Sequence, residues 1–379
     1  MKRVQVVIVG AGVSGLYAAN LLQKLGISYL VLEGRDRSGG RLISSPTLEH
    51  AAHQADSRDR YTRVDLGATW VWPAMQPQLA SLMQELCIEL IPQNEQGDML
   101  FERAAHFSPS RHPGYASAPS SMRAAEGMRV LTERLEERLP SEAVLTGHHV
   151  SRIEIKEGEV QVQVQAEAQS GRSLTFAAES VFLALPPALA ATITFEPPLP
   201  HSLHDEWART GTWMAPHAKY VAVYDHAFWK EEGLSGEARS GAGPMVEMHD
   251  ASVPGGVNAL FGFIGIPAKS RWTASEEKLI ALCRAQLVRL FGPAAATPSA
   301  EYFKDWAADP YTATEMDLSI QAGHSVPKAY PMEGEWKGRL CGIASEWSPM
   351  YPGYLAGALD AASEGVGLFR KAHSESTTV

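Results

Sequence analysis

VIVGAGVSGLY, residues 7–17, decides the fold of the amino-terminal region. An apolar run, residues 4–9, leads into its glycines, and an amphipathic stretch, residues 16–25, follows them. A second apolar run, residues 29–32, ends on Glu33. This order predicts a strand, a tight turn, a helix and a second strand that ends on an acid, which is the arrangement of a dinucleotide-binding βαβ unit.

The three glycines of this turn have separate physical roles. Gly10 permits the tight turn, Gly12 lets the backbone approach a pyrophosphate, and Gly15 allows the helix to pack closely on the strand. Val13 and Ser14 open the predicted helix, whose free N–H groups and positive dipole end attract phosphates. We expect these five residues to contact a nucleotide, and a nucleotide-free βαβ unit is the alternative.

Glu33 and the residues after it narrow the choice of cofactor. The Glu33 carboxylate can accept hydrogen bonds from adenosine ribose hydroxyls and would repel a 2′-phosphate, which favours FAD or NAD over NADP. GRDRSGGRL, residues 34–42, holds a second glycine pair and an arginine that nicotinamide enzymes do not need. Gly40 would bring a second backbone segment against a larger cofactor. Arg41 would offer its phosphates a charge-assisted fork, so the sequence favours FAD.

Segments along nearly the whole chain resemble the flavin-containing amine oxidases, the monoamine oxidase-like family. EGRDRSGGR, residues 33–41, resembles the second FAD signature of that family. Further matches follow in the family's order: DLGATW at residues 65–70, FLALPP at 182–187, FEPPLP at 195–200, HAKY at 217–220 and RLCGIASEWSPMYPGYLAG at 339–357. The resemblance is specific at the two ends and looser between about residues 71 and 300.

The resemblance implies an α/β fold in which a Rossmann-type FAD-binding domain is interleaved with a substrate domain built on a mixed sheet. We expect the FAD-binding domain in residues 1–70, 126–194 and 306–379, the last of which ends in a flexible tail. We expect the substrate domain in residues 71–125 and 195–305.

The resemblance also assigns residues to FAD. Glu346 should accept hydrogen bonds from the ribityl hydroxyls. Trp306 matches a tryptophan that packs beside the isoalloxazine, and plain core packing is its alternative. The predicted FAD-binding residues are Gly10, Gly12, Val13, Ser14, Gly15, Glu33, Gly34, Arg35, Gly40, Arg41, Gly67, Ala68, Thr69, Trp70, Val150, Trp306, Ser345, Glu346, Gly353, Tyr354 and Leu355.

Two residues are predicted to act in catalysis. Lys219 interrupts an otherwise apolar strand, residues 218–223, and matches the family's lysine that holds a water against flavin N5 and influences reoxidation by oxygen. A surface lysine on a strand edge is the alternative. Tyr354 matches a tyrosine that forms one wall of an aromatic cage over the flavin, where its π-face orients an amine. A core tyrosine that packs on the helix start is the alternative.

The chain departs from the family's pattern at several positions: Ala344 stands where a glycine is usual, Ala356 where a glutamate is common, and two further departures are neighbours. Glu315 lies near the place of the covalent flavin cysteine of the mitochondrial enzymes, so we expect FAD to be bound non-covalently. Met316 lies near the place of the second cage aromatic, where a flexible thioether replaces a ring. Trp70, Trp72 or Tyr351 could supply an aromatic ring from another direction.

Composition bounds the partners of the protein. The 379 residues, 45% hydrophobic and 20% charged, suffice for two soluble domains, and the net charge of −10 disfavours nucleic acid and anionic membranes. The sequence has no run of eighteen apolar residues, and MKR before the first strand leaves no room for a signal peptide.

Cys87, Cys283 and Cys341 lie in apolar surroundings without a disulfide or metal motif, so we expect a cytoplasmic protein without a metal. The pairs His50–His53 and His201–His204 are predicted to be surface histidines in loops.

Periodicity predicts the remaining elements. Helices are expected over residues 78–89, 125–139, 273–290 and 353–369, the third opened by a capping box from Thr273 to Glu276. An antiparallel meander is expected from residues 152–155, 160–165 and 174–176, and a central parallel strand from 181–185. Substrate-domain strands are expected at 219–224 and 260–264, and a long surface loop at 42–64.

Together these features predict an FAD-dependent oxidase that converts an amine to an imine and reduces O2 to H2O2, with a small-molecule amine and oxygen as its partners. Two alternatives stay open: a desaturase or isomerase that oxidises C–C bonds on the same scaffold, and a flavin-binding protein with little turnover. No clear arginine marks a site for an amino-acid carboxylate, and no acidic tunnel marks a polyamine site, so the sequence favours no single amine.

Overall fold

The chain divides into two compact units. The computed structural model describes residues 2–45, 61–156, 159–166, 173–318 and 326–376. The first unit comprises Met1–Arg41, Leu131–Ala215 and Asp309–Val379, and the second comprises Leu42–Val130 and Pro216–Ala308. The described residues 42–45, 61–70, 126–130 and 306–308, expected in the FAD-binding domain, therefore lie in the second unit. Residues 195–215, expected in the substrate domain, lie in the first. The assignment of a function to each unit stays a prediction.

The secondary structure is numbered along the chain. The strands are β1 Lys2–Val9, β2 Tyr29–Leu32, β3 Ser44–Ser45, β4 Val64–Asp65, β5 Leu90–Pro92, β6 Asp98–Glu102, β7 Ser110–Pro113, β8 Met122–Ala124, β9 Val144–Leu145, β10 His148–Lys156, β11 Glu159–Ala166, β12 Ser173–Leu183, β13 Thr194–Glu196, β14 Ala218–Tyr224, β15 Leu234–Ser240, β16 Met245–Asp250, β17 Asn258–Ile264, β18 Ala300–Asp305 and β19 Leu340–Gly342. The helices are α1 Val13–Lys24, α2 Pro77–Glu85, α3 Val130–Glu136, α4 Pro187–Ala190, α5 His201–Ala208, α6 Phe228–Glu231, α7 Ala268–Arg271, α8 Glu276–Phe291 and α9 Leu355–Ser376. Single 3-10 turns form at Ser141–Ala143, Pro293–Ala296, Glu315–Leu318 and Ser345–Trp347.

The first unit is built on one mixed sheet. Its strand order is β13-β10-β11-β12-β1-β2-β9, and β19 also pairs with β12. β1 pairs in parallel with both β2 and β12, so the predicted strand–turn–helix–strand unit is confirmed. Val6, Val7 and Ile8 are fully buried because both faces of a parallel sheet are covered. The predicted meander is confirmed as the antiparallel strands β10, β11 and β12.

The structure joins two predicted strands, residues 174–176 and 181–185, into the single strand β12. Its first part pairs antiparallel with β11 as far as Ala178, and its later part pairs in parallel with β1 as far as Leu183. No glycine or proline separates the two apolar runs, so nothing local interrupts the extended backbone. One strand therefore connects the meander to the parallel part of the sheet.

Several helix ends differ from the predictions because the backbone stops or starts them elsewhere. α2 ends earlier than predicted, since Cys87 adopts a positive φ of 54°. α3 begins later than predicted, since Gly127, with a φ of 80°, closes a turn before it. α8 is capped by Ser275, whose Oγ accepts from the Lys278 N–H at 3.3 Å, and not by Thr273.

Two segments that we expected to be irregular are helical. α9 continues to Ser376, so the described part of the predicted flexible tail, residues 371–376, belongs to the helix. It begins at Leu355 and not at Gly353, which has a φ of 79°. His201 and His204 lie in α5 and not in a loop.

The second unit contains a seven-stranded sheet in the order β18-β14-β17-β16-β15-β6-β7. β14 and β17, the two predicted substrate-domain strands, are neighbours in antiparallel register. Alternate residues of β14 face two apolar clusters: Tyr220 and Ala222 belong to one, and Val221 belongs to the other. Lys219 is two residues from Val221 in the strand, so its side chain lies on the Val221 face.

Other expectations concern cysteines, metals and membranes. Cys283 and Cys341 are buried free thiols, whereas Cys87 is exposed, contrary to our expectation of apolar surroundings. Within the described residues, no group of three or more His, Cys, Asp or Glu side chains is placed to hold a metal ion. No helix in the same residues is long and apolar enough to cross a membrane. His50, His53 and most of the predicted 42–64 loop lie outside the described residues.

A buried amide in α1 yields a stability prediction. The Asn20 amide donates to the carbonyls of Leu16 and Leu135, both at 2.9 Å, so Asn20→Ala leaves a buried carbonyl unpaired. We expect the variant to lower the free energy of unfolding by about 1–3 kcal/mol in urea titrations. Gln23→Ala is the matched control: Gln23 donates to the Arg138 carbonyl at 2.8 Å, but it is exposed, so water can replace the lost hydrogen bond. Equal losses in both variants would contradict the assigned role of Asn20.

Candidate active site

The turn between β1 and α1 brings backbone segments together where no side chain fits. Gly10 has a φ of 108°, and a Cβ there would lie 2.7 Å from the Ala184 carbonyl oxygen. A Cβ on Gly15 would lie 2.0 Å from the Gly10 carbonyl oxygen. A Cβ on Gly12, in contrast, would meet nothing within 4 Å. The turn is therefore closed on the protein side and open at Gly12.

The start of α1 leaves its backbone donors available. Gly12 is the N-cap, and no side chain caps the helix. The first N–H groups of a helix, here including those of Val13 and Ser14, have no partner within the helix itself. Gly40, with a φ of 54°, places its backbone beside Gly12, because a Cβ there would lie 3.2 Å from the Gly12 Cα. These N–H groups next to an open surface form an anion-binding arrangement.

Glu33 is held by backbone donors at the end of β2. Its carboxylate accepts from the Ala11 N–H at 2.8 Å and from the Arg35 N–H at 2.9 Å, and the residue is buried. Ionised carboxylate oxygens have about four acceptor positions, so hydrogen bonds to ribose hydroxyls remain possible. The backbone bonds fix the orientation in which the carboxylate is presented.

A cluster around Arg35 was not predicted. The Arg35 guanidinium donates to Asp309 at 2.7 Å and to Thr312 at 3.1 Å, and it lies over the Tyr311 ring at 5.1 Å. Tyr311 also packs on Gly34, where a Cβ would come within 2.5 Å of the ring. No motif in the sequence marks Asp309, Tyr311 or Thr312, because their partners lie far away along the chain. Residues 309–312 therefore fix the position of the Arg35 side chain and leave no room for a side chain at Gly34.

The structure pairs two residues that we had assigned separately to the cofactor. Arg41 donates to both carboxylate oxygens of Glu346, at 2.5 and 3.1 Å, and to the Ser345 hydroxyl at 3.3 Å. Burial alone would lower the pKa of Arg41, but the charge and hydrogen bonds of Glu346 outweigh it, and the pKa is raised. Burial likewise opposes ionisation of Glu346, yet Arg41 lowers its pKa. Both groups are therefore charged.

The remaining predicted residues of the first unit lie on β10 and at the start of α9. Val150 is buried and lies beside an irregularity in the pairing of β10 with β11. The Gly353 N–H donates to the Ser345 carbonyl at 3.0 Å, which ties the segment before α9 to the Arg41 contact. Tyr354 and Leu355 follow directly, and the Tyr354 ring lies 5.6 Å from the ring of Trp213. Trp213 was missed by the sequence analysis.

In the second unit, Lys219 is a buried amine with few polar partners. It is only 2% exposed, so the alternative of a surface lysine is wrong. Its Nζ donates to the Thr69 hydroxyl at 2.5 Å and to the Gly67 carbonyl at 3.4 Å. It also lies 4.1 Å from the centre of the Phe261 ring.

The charge state of Lys219 follows from this environment. Burial lowers the pKa of Lys219 to about 7, nearby Asp65 opposes the shift, and Arg123 adds to it. Asp65 is itself buried, which raises its pKa, although Lys219, Ser44 and the Met128 N–H each favour its ionised form. A lysine that titrates near neutral pH can exchange a proton under physiological conditions, unlike an ordinary surface lysine.

Two tryptophans of the predicted site pack around the same region of the second unit. Trp306 donates from its indole N–H to the Leu66 carbonyl at 3.0 Å and is buried. Trp70 donates to the Gln93 side chain at 2.8 Å and packs on Phe261, with ring centres 5.5 Å apart. Ala68 is exposed between these packed neighbours. Core packing, the alternative for Trp306, is therefore part of its role in this structure.

The lowered pKa of Lys219 yields a pH prediction. The unfolded chain keeps a proton on this lysine up to its ordinary pKa of 10.5, whereas the folded chain releases it near 7. Between these values the unfolded state binds more protons, so the contribution of Lys219 to stability rises with pH. We expect the unfolding free energy of the wild type, minus that of Lys219→Met, to rise by up to about 1.4 kcal/mol per pH unit above about pH 7. Urea titrations at several pH values measure this difference in unfolding free energy. Lys269→Met, at an exposed lysine, is the control. A difference that does not change with pH would contradict the lowered pKa of Lys219.

Comparisons with known proteins identify the fold. The putrescine oxidase structure with putrescine bound has a TM-score of 0.76 and 20% identity over 96% of this chain and 98% of that chain. The cyclohexylamine oxidase from Brevibacterium oxydans has a TM-score of 0.76 and 20% identity over 98% of this chain and 99% of that chain. At this identity the structures establish the shared α/β fold with its Rossmann-like domain, as expected.

Curated relatives are named for amine and amino-acid oxidation. A probable flavin-containing monoamine oxidase A of Dictyostelium discoideum is 28% identical over 205 residues, which cover 52% of this chain and 43% of the relative. The matched region thus spans less than half of that protein. An L-amino acid dehydrogenase of Synechocystis sp. is 23% identical over an alignment of 453 residues, gaps included, which covers 93% of this chain and 92% of the relative.

Family models decide membership. A model described as NAD(P)-binding Rossmann-like domain matches residues 8–86. A second, described as flavin containing amine oxidoreductase, matches residues 103–364, which is more than half of the chain. The expectation drawn from the sequence motifs is confirmed, and the protein belongs to the flavin containing amine oxidoreductase family.

Proposed function

We propose that this protein is an FAD-dependent amine oxidase that converts an amine to an imine and passes the electrons to O2, which yields H2O2. The observation that carries this proposal is Lys219, a fully buried amine at the position of the family's flavin lysine. Burying a lysine is costly, and besides nearby Asp65 the surroundings of Lys219 include the rings of Phe261 and Phe263. A buried amine that titrates near neutral pH supports a role in chemistry.

The first unit fits the pyrophosphate and adenosine parts of FAD. The open surface at Gly12 and the uncapped start of α1 suit a diphosphate. Glu33 would hold the adenosine ribose, and Arg35 with Tyr311 would bound that end of the site. The paired charges of Arg41 and Glu346 would lie along the cofactor and not act as two independent contacts.

We also propose that FAD is held without a covalent bond. By the resemblance of the sequence, Glu315 lies near the place where the mitochondrial enzymes with covalent flavin carry a cysteine. The three cysteines of the chain, Cys87, Cys283 and Cys341, are all distant from Glu315 in sequence. Binding would therefore depend on the backbone and charged contacts of the first unit.

The protein's residues divide the work of the reaction. Bound FAD would accept a hydride equivalent from the carbon next to the amine nitrogen and deliver electrons to oxygen. Tyr354 would orient the amine with its ring face. When protonated, Lys219 donates to Thr69 and Gly67, and its third N–H would hold a water for the oxygen reaction.

A dehydrogenase that uses another electron acceptor is the second candidate. The L-amino acid dehydrogenase from Synechocystis sp. aligns with nearly the whole chain, which favours this candidate specifically. The two functions share the reduction of FAD by the substrate and differ in what removes the electrons. The experiment must therefore separate the two half-reactions.

A substrate panel tests the proposed function. We expect the purified protein to be yellow, to release intact FAD on mild acid, and to release H2O2 with at least one primary or secondary amine. Anaerobic bleaching of the flavin is measured for each amine and L-amino acid, followed by reoxidation with O2 or a quinone. Bleaching followed by reoxidation only with the quinone would support the dehydrogenase. If no amine and no L-amino acid of the panel bleaches the flavin, both the oxidase and the dehydrogenase are rejected, and C–C oxidation or a binding role is favoured.

Lys219→Met tests the role of the buried amine. The variant keeps the side-chain length and loses the charge and the donors. We expect FAD loading and reduction by amine to persist, while reoxidation by O2 slows by about tenfold or more, because the water and the positive charge near the reacting oxygen are lost. Stopped-flow absorbance measures the two half-reactions separately, and Lys269→Met is the control. An unchanged oxygen reaction with intact FAD loading would place Lys219 away from the flavin.

A further inference from the structure

The aromatic surroundings of Tyr354 include a residue that the sequence analysis did not name. Met316 lies near the expected place of the family's second cage aromatic, and Trp70, Trp72 and Tyr351 were named as substitutes. The structure places Trp213 against Tyr354, with ring centres 5.6 Å apart and an angle of 43° between the rings. Trp213 is 40% exposed, so part of its ring is open to a ligand.

A buried hydrogen-bonded clamp positions Trp213 beside the turn that carries Met316. The Asp317 carboxylate accepts from the Thr212 N–H at 2.7 Å through one oxygen. Its other oxygen accepts from the N–H and the hydroxyl of Thr314, both at 2.8 Å. Thr212 and Asp317 are each 2% exposed. Trp213 directly follows Thr212, so its backbone is fixed to the residue next to Met316.

The two rings form one bent wall and not two facing walls. At 5.6 Å and 43° the rings of Trp213 and Tyr354 are already in contact, so a ligand cannot enter between them. Because Trp213 is partly exposed, the pair presents an apolar, π-rich ring surface to a ligand on the Trp213 side. Such a surface suits a flat or cyclic hydrocarbon group joined to an amine cation.

We propose that Trp213 is the specificity-determining residue of the amine site and that the wall formed by Trp213 and Tyr354 selects ring-bearing monoamines over linear alkylamines and diamines. This inference rests on the proposed function. The clamp explains why the ring has a fixed place: both oxygens of Asp317 are engaged by Thr212 and Thr314. The Asp317 carboxylate is buried and accepts three hydrogen bonds from Thr212 and Thr314, so it serves the clamp, and the apolar wall itself offers no carboxylate to the second ammonium of a diamine.

The test compares Trp213→Ala and Trp213→Phe with the wild type on benzylamine, cyclohexylamine, butylamine and putrescine. We expect Trp213→Ala to raise KM for the two ring-bearing amines by about tenfold, with a smaller effect on butylamine, and Trp213→Phe to restore most of the loss. Phe107→Ala, which removes another exposed aromatic side chain, is the control. FAD absorbance and thermal unfolding verify that each variant is loaded and folded.

A binding measurement makes the inference independent of turnover. Calorimetric titration with phenyltrimethylammonium, which the reaction cannot oxidise, should show about tenfold weaker binding in Trp213→Ala and little change for tetramethylammonium. If the wild type oxidises no amine yet shows this pattern, the proposed function fails while the wall stands. If amines are oxidised and Trp213→Ala changes neither KM nor phenyltrimethylammonium binding, the inference is overturned. If Trp213→Ala does not fold, Trp213→Phe against Trp213→Leu decides between a requirement for a ring and one for bulk.

Discussion

The first unit depends on a contact between backbones where a single extra carbon would not fit. Gly10, Gly15 and the Ala184 carbonyl meet at the end of β1, and the Cβ positions there would overlap backbone oxygens at 2.0 and 2.7 Å. Because the turn is so tight, α1 starts directly over the end of the sheet with its first N–H groups uncapped. The same contact that packs the helix therefore leaves the start of α1 beside the open surface at Gly12, where we propose that the diphosphate of FAD binds. Helix packing and the proposed binding thus depend on the same glycines.

The second unit has a different constraint, a positive charge placed in an apolar layer. Lys219 points to the side of β14 that carries Val221, toward Phe261. Asp65, a nearby carboxylate, has one oxygen that already accepts from the Ser44 hydroxyl at 2.6 Å and from the Met128 N–H at 2.8 Å. Asp65 therefore offsets only part of the cost of burying the Lys219 charge, and the pKa of Lys219 falls to about 7. The lowered pKa is thus a result of how the strand is surrounded.

Sequence patterns predicted the elements that neighbouring residues determine, such as strands, turns and helices. Contacts between segments far apart in the chain were found only in the structure. The glycine spacing from Gly10 to Gly15 specified the βαβ unit, and alternation in residues 160–165 specified the meander. The clamp from Asp317 to Thr212 joins residues far apart in sequence, so neither residue carries a recognisable signal. For the same reason Arg41 and Glu346 were assigned to the cofactor separately although they bind each other. Trp213 was overlooked because only the structure brings it to Tyr354.

The continuity of β12 has a consequence for the order of folding. Its first part pairs with β11, which is close in sequence, while its later part pairs with β1 and β19, near opposite ends of the chain. Short loop closures cost less entropy than long ones, so the pairing of β12 with β11 is favoured before its pairing with β1. β1 and β19 both pair with residues 181–183, so they occupy opposite edges of β12. During synthesis the β19 edge stays incomplete until residues 340–342 have left the ribosome, and the first unit finishes folding only after translation of most of the chain.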